Sequence, residues 1–390
     1  MHMSLWTGLL AGLSLAACST PVSPRVTPAA KAASLEDIKQ DVSDSAAAPA
    51  RTLAMFTPGP DQACYDRATM GSTMVVDAHN HFRPFGGPAI PFPETVSYLE
   101  RTGVLFANVY GIGQSLPVET GCTYYLDCVG TPARPSLQND IVNAANVIDY
   151  APENVVLTLS MTFPDLSRPQ DIPAQIEQLD RSYSGMFRWM GEVNLVKQAL
   201  MGNAHQPTPE DVLEGWAPFM QTLRERSMPI AIHSDLGSEE TPDQYLALFE
   251  KVLELYPDNT IVWMHMGLSK ELTTLPAESH IATMTRLLDA YPNLYLDISW
   301  RVVPDAYFDT PEKKAAYVAF FNAYPDRILT GTDFVAARAK DFSVYEEEVA
   351  VNSAILANLD DEAFRQIALG ESYFRLLDMP YAAPEICEAG

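Results

Sequence analysis
From about residue 74 onward, short β-branched or apolar runs alternate with amphipathic stretches of helical length. The strand-like runs fall near 74–79, 104–110, 155–161, 186–194, 229–234, 260–265, 294–299 and 328–333. Val212, Leu213, Trp216, Phe219, Met220 and Leu223 follow the i, i+3, i+4, i+7 spacing of one buried helical stripe. Thr208 as N-cap, Pro209 at the first helical position, and Glu210 and Asp211 at the positive end of the dipole predict where that helix begins. Thr241–Pro242–Asp243 and Thr310–Pro311–Glu312 predict two further starts. Tyr256–Pro257, Tyr291–Pro292 and Tyr324–Pro325 predict helix stops, each followed at once by a strand. Eight strands with helices between most of them predict a (β/α)8 barrel, the TIM fold, over 53–390. The irregular segment 111–136 reads as an insertion between the second and third strands. A doubly wound sheet is the competitor, but no Gly-x-Gly-x-x-Gly follows any strand.

The stretch before the barrel carries a different pattern. Leu9 to Ala17 is apolar and small, too short to span a bilayer, and leads into Leu15–Ala16–Ala17–Cys18. Residues 1–18 resemble a bacterial lipoprotein signal, although Met1–His2–Met3 brings no Lys or Arg. The resemblance implies lipidation of Cys18 and export to the periplasm, with Ser19 implying anchorage to the outer membrane. Residues 19–52 are rich in Pro, Ala, Ser and Thr and read as a flexible tether. Beyond Cys18 there are four cysteines, an even number that suggests disulfides in an exported chain. Cys122–Cys128 closing a small loop and Cys64–Cys387 tying the domain ends together is the favoured pairing of three. The absence of Cys-x-x-Cys argues against thiol redox catalysis and a zinc ribbon.

Charge narrows the partners. Hydrophobic residues make up 47% of the 390, so a large core is expected, and the net charge of −25 argues against a nucleic acid. A small-molecule substrate is expected, with membrane contact only through the N-terminal anchor. Oligomeric state is left open.

The chemistry concentrates at strand ends. In Val75–Val76–Asp77–Ala78–His79–Asn80–His81, residues two apart face one side, so His79 and His81 point together. His233 ends the fifth strand, His265 the sixth and Asp333 the eighth, while Glu192 lies near the end of the fourth. From His233 to His265 is 32 residues, with 34 more to Ser299 and 34 more to Asp333, which is the length of one β/α unit. Four of the seven histidines therefore fall at one rim, where such barrels build their active sites. The others read as bland: His2 in the signal, His205 in a loop and His280 on a polar helical face. Lys197, past the end of the fourth strand, is a weaker candidate for any role.

This His-x-His after strand one, with histidines after strands five and six and Thr332–Asp333 after strand eight, resembles the amidohydrolase superfamily. The similar branch is amidohydrolase-2, which includes aminocarboxymuconate-semialdehyde decarboxylase and related lactone hydrolases. Ile367 to Leu377 is similar to that group's closing helix, with Glu371 where asparagine is usual. The resemblance implies that His79, His81, His233 and Asp333 bind a divalent metal, zinc foremost, and that His265 polarises the substrate. Glu192 either bridges a second ion or pairs with a nearby cation. The implied reaction is cleavage of an ester, lactone or amide by a metal-activated hydroxide, with Asp333 as general acid and base. The alternatives are a non-oxidative decarboxylase or hydratase on the same ligands, and a catalytically inactive tethered binding protein. Arg83 and Arg301 are candidates to clamp a substrate carboxylate, and Tyr110 and Trp300 to line the pocket.

Overall fold
A computed structural model describes residues 51–162 and 165–388. The signal segment, Cys18 and most of the tether lie outside the described residues. Nine parallel strand segments form one curled sheet of the TIM-like α/β kind: β1 (Val76–His81), β2 (Phe106–Tyr110), β3 (Val156–Met161), β4 (Phe187–Val196), β5 (Ile230–Ser234), β6 (Ile261–Trp263), β7 (Leu294–Asp297), β8 (Ile328–Leu329) and β9 (Phe334–Val335). Each strand pairs with its neighbour in sequence up to β8, and β9 returns to pair with β1. Between β8 and β9 the backbone at Thr330–Asp333 leaves the ladder. It still accepts from Ala78 N–H at 2.9 Å and donates from Asp333 N–H to His79 O at 2.8 Å. All of β1 is buried, polar residues included, so Asp77, His79, Asn80 and His81 must each find partners inside the protein.

Helices fill the connections, among them Phe92–Thr102, Gln138–Tyr150, Ile172–Ser182, Ala277–Ala290 and Pro311–Ala323. Thr310 caps the last of these by accepting from Lys313 N–H, as its sequence predicts. Three sequence expectations are corrected. The helix expected from Thr208 through Leu223 is a 3-10 segment, Glu210–Trp216, followed by an α-helix, Ala217–Glu225. Pro218 lacks the N–H a continuous helix would use and sits in the first turn of the second piece. Thr208 makes no side-chain cap there, and Pro209 takes the N-cap position. At Thr241 the chain closes a turn with Ser238, and the helix starts only at Leu246. The closing helix is two helices, Asp361–Ile367 and Glu371–Leu376. Gly370 between them has φ +88°, and a Cβ there would fall 2.2 Å from Val76 Cγ2. Close approach to β1 is what breaks the helix.

Two disulfides join Cys64 to Cys387 and Cys122 to Cys128. The first lies beside paired backbone bonds between Tyr65 and the carboxyl-terminal segment. The second sits in the insertion, which folds over the sheet and buries Leu116 and Tyr125 against Phe85, Ile112 and Leu200. Asn203 Nδ2 fastens it further by donating to Cys128 O and Thr131 O. Among the described residues no helix is long and apolar enough to cross a membrane.

Candidate active site
The carboxyl ends of the strands bring four imidazoles to one point, each wired in the same way. On β1, His79 and His81 emerge on one side, with their Nε2 atoms 3.1 Å apart. His79 Nδ1 donates to Asp297 Oδ2 at 2.7 Å, and His81 Nδ1 to the Gly111 carbonyl at 2.8 Å. His265 Nδ1 donates to the Ser299 carbonyl at 3.1 Å. His233 is turned the other way round: Asp235 Oδ1 holds Nε2 at 2.8 Å, and Nδ1 faces Glu192. An oxygen outside the cluster thus anchors one ring nitrogen of every histidine and leaves the other turned inward, where an ion could replace any proton it carries. Gly331 permits this closeness, because a Cβ there would meet His79 N at 2.7 Å.

The carboxylates complete the cluster. Asp333 Oδ1 lies 3.1 Å from His81 Nε2 and 3.4 Å from His79 Nε2, with 16% of its side chain exposed to the cavity. Asp333 has φ +55°, and His265, Met266 and Trp300 share the left-handed backbone region. Four of the eight non-glycine residues with positive φ among those described therefore lie at this rim, where surrounding structure must hold a costly conformation. Part of that hold is Asp77, fully buried on β1. Its carboxylate accepts from Thr332 N–H, Thr332 Oγ1, Asn80 Nδ2 and Tyr345 OH, all at 2.8–3.0 Å. Asp77 therefore fixes the turn that aims Asp333. Glu192 accepts from Lys197 Nζ at 3.0 and 3.1 Å while standing 3.7 Å from His81 Nε2 and 3.9 Å from His265 Nε2.

Electrostatics follow from this crowding. Burial works against a charge on His79, but Asp333, Asp297 and Glu192 outweigh it and raise the ring to about 9. Burial also opposes ionisation of Glu192 and Asp333, yet the cations and imidazoles around them hold both carboxylates below their ordinary range. At His265 burial wins and lowers the ring to about 4. That finding bears on its expected role. A neutral His265 whose Nδ1–H is committed to Ser299 O presents a lone pair at Nε2, not an N–H. In that form Nε2 faces the cluster and could serve an ion as a ligand. Two lone pairs 3.1 Å apart, as at His79 and His81, repel unless a proton or cation lies between them. Nitrogens about 2 Å from one ion sit at such a separation, so the donor set fits a divalent metal. Three overlapping groups bring their ligand atoms within 4.8 Å of one another: His79–His265–Asp333, His79–His81–Glu192 and Glu192–His233–His265.

Above the cluster lies a cavity of about 650 Å³, with His81, His233, His265, Asp333 and Trp300 in its wall. Arg301 also lines it, but its guanidinium is paired with Asp305 at 3.0 Å and Glu347 at 2.9 Å. Arg83 does not line the cavity; it donates to Asn139 Oδ1 at 3.0 Å. Tyr110 is fully buried beside His79, ring centroids 4.8 Å apart, and supports the histidine from behind. His280 is corrected too: it is 1% exposed, between Tyr317 OH and Met266 O. Lys197 matters more than its position past the strand predicts, through its pairing with Glu192. Sequence reasoning missed the anchors Asp297 and Asp235, each two residues from another rim residue, Ser299 and His233, and so on the same strand face.

Residues 192–370 match the family profile described as Amidohydrolase, a stretch that opens at Glu192 and contains His233, His265 and Asp333. That domain, with its buried histidine–carboxylate centre, supports a metal-dependent hydrolase. Solved structures the chain is similar to include a zinc-bound amidohydrolase from Burkholderia multivorans, 12% identical over 78% of this chain and 99% of that one, TM-score 0.48. A dihydroorotase from Campylobacter jejuni is 13% identical over 78% of this chain and 83% of its own, TM-score 0.45. A dihydropyrimidinase from Brevibacillus agri is 9% identical over 82% of this chain and 74% of its own, TM-score 0.45. No curated protein matches the chain.

Proposed function
We propose that this protein hydrolyses an ester, lactone or amide bond in a small substrate, using one divalent ion, zinc foremost. The carrying observation is the shared wiring of His79, His81, His233 and His265, each with one nitrogen anchored outward and the other turned to a common point. These four, with Asp333, would hold the ion. Glu192 already has Lys197 as counter-charge, which favours a single ion over a bridged pair. A bound divalent ion supplies Lewis acidity and lowers the pKa of water from 15.7 to about 7. The chain's own part falls to Asp333, whose side chain borders the cavity and is set by Asp77 and Thr332. Held ionised, it takes a proton from the attacking water and returns it to the leaving group. The aromatic walls Phe85, Tyr125 and Trp300 keep bulk water from the reacting carbonyl.

The continuity of β8, Thr330–Asp333 and β9 between β7 and β1 supports a closed eight-stranded barrel as the scaffold. Two disulfides support an oxidising compartment, in line with export and an anchor at Cys18. Asp333→Asn tests the reaction: turnover of a lactone or ester panel is expected to fall by about 10²–10⁴ per bound metal. Unchanged turnover per bound ion would remove Asp333 from the mechanism.

A further inference from the structure
The cavity carries five Lys and Arg residues in an acidic protein of net charge −25. Three of them are neutralised by their own chain. Lys197 pairs with Glu192, Arg301 with Asp305 and Glu347, and Arg338 with Glu94. Lys270 and Lys340 differ. Among the described residues neither has a carboxylate within ion-pair distance. Lys270 Nζ, at the exposed mouth, reaches Tyr124 OH at 3.4 Å and lies 5.7 Å from the Trp300 ring centroid. Lys340, half-buried in the same cavity's wall, lies 4.8 Å from the Phe334 ring centroid. Burial lowers the Lys340 pKa, Glu348 and Asp333 oppose that, and Lys270 adds to it, so the two ammonium groups act on one another across the cavity. Glu348 compensates weakly, because burial raises its own carboxyl to about 7.

Glu348 and Asp333 offset Lys340 only from beyond contact, so both ammonium groups keep donors free to meet an anionic group in the cavity. Trp300 links Lys270 to the histidines, its ring centroid 5.7 Å from Lys270 Nζ and 5.0 Å from the His265 ring. A flat apolar body placed against Trp300 would run from the reacting centre to the lysines. We propose that Lys270 and Lys340 form a carboxylate-binding subsite, and that the substrate is a monoanion bearing a planar apolar body beside its scissile bond. The proposal deepens the hydrolase reading above by naming the substrate class.

Calorimetric titration of the zinc-loaded protein with benzoate, benzamide and benzylammonium tests it. Benzoate is expected to bind about tenfold more tightly than benzamide, an advantage that added salt reduces. The Lys270→Met/Lys340→Met double variant should bind the two alike. Lys270→Met alone, at the exposed mouth, should lose part of the preference and keeps the test readable if the double variant fails to fold. Undiminished benzoate binding in the variants would place the anion on the metal cluster alone and overturn the subsite. So would tighter binding of benzylammonium, or no saturable benzoate binding. Lysine-dependent benzoate binding without hydrolysis of any carboxylate-bearing ester, lactone or amide would leave the subsite standing and defeat the hydrolase reading.

Discussion

His265 and His280 are each 1% exposed, and burial lowers both rings to about 4. Their surroundings make them opposites. His280, in the helical layer, meets Tyr317 OH at 2.8 Å and Met266 O at 2.9 Å, so both nitrogens are satisfied within the protein. At the rim, His265 commits only Nδ1 and turns Nε2 towards three other imidazoles wired on the same plan. Burial and a displaced pKa are therefore not what separates a site from a packed histidine. What separates them is a nitrogen left without an internal partner and aimed at others like it. The helical region spends its polar groups on stability, whereas the rim holds them in reserve for something the chain does not itself provide.

That contrast breaks if the anchors prove dispensable. Asp297→Asn keeps the shape beside His79 and removes the charge, and it is expected to weaken metal affinity about 10–100-fold with little change in folding. Competition with a zinc chelator measures it, and unaltered affinity would make Asp297 a packing residue. His280→Phe should do the reverse. It strands Tyr317 OH and Met266 O and is expected to cost about 1–3 kcal/mol in urea unfolding while metal content is kept. Loss of metal in that variant would show that the bond to Met266 O, beside His265, also holds the rim in place. The smallest effect is in pH. A buried histidine with a lowered folded pKa favours its neutral form, so its stability is complete above the unfolded value of 6.5 and is lost as pH falls towards 4. Wild type should lose about 1 kcal/mol more than His280→Phe between neutral pH and about pH 5.5. Parallel losses in the two proteins would show that His280 does not titrate in this way.

Much of the rim was legible because its residues obey backbone periods. His79 and His81 follow the two-residue period of a strand, and His233, His265 and Asp333 follow the recurrence of one β/α unit. Strand positions were readable for the same reason, though β1 runs on through His81 and β6 stops at Trp263. Three things resisted. The anchor at Gly111 O is a backbone atom and leaves no mark in residue identity. The turns at His265, Trp300 and Asp333 adopt positive φ without glycine, so no residue type announces them. Lys270 and Lys340 lie in loops, where no periodicity links them to each other or to Trp300. His280 was misread because Glu278 and Ser279 beside it are polar, while the face it occupies is decided by Tyr307 and Tyr317 from other helices.

The central claim is that four inward-facing imidazoles and Asp333 hold one divalent ion. Elemental analysis of the purified protein, supplied with zinc and then desalted, tests it most directly, beside His79→Asn and Glu192→Gln. About one zinc per chain is expected in the wild type and in Glu192→Gln, and almost none in His79→Asn. Two ions falling to one in Glu192→Gln would replace the single-ion centre with a bridged pair. No retained metal in the wild type would contradict the account.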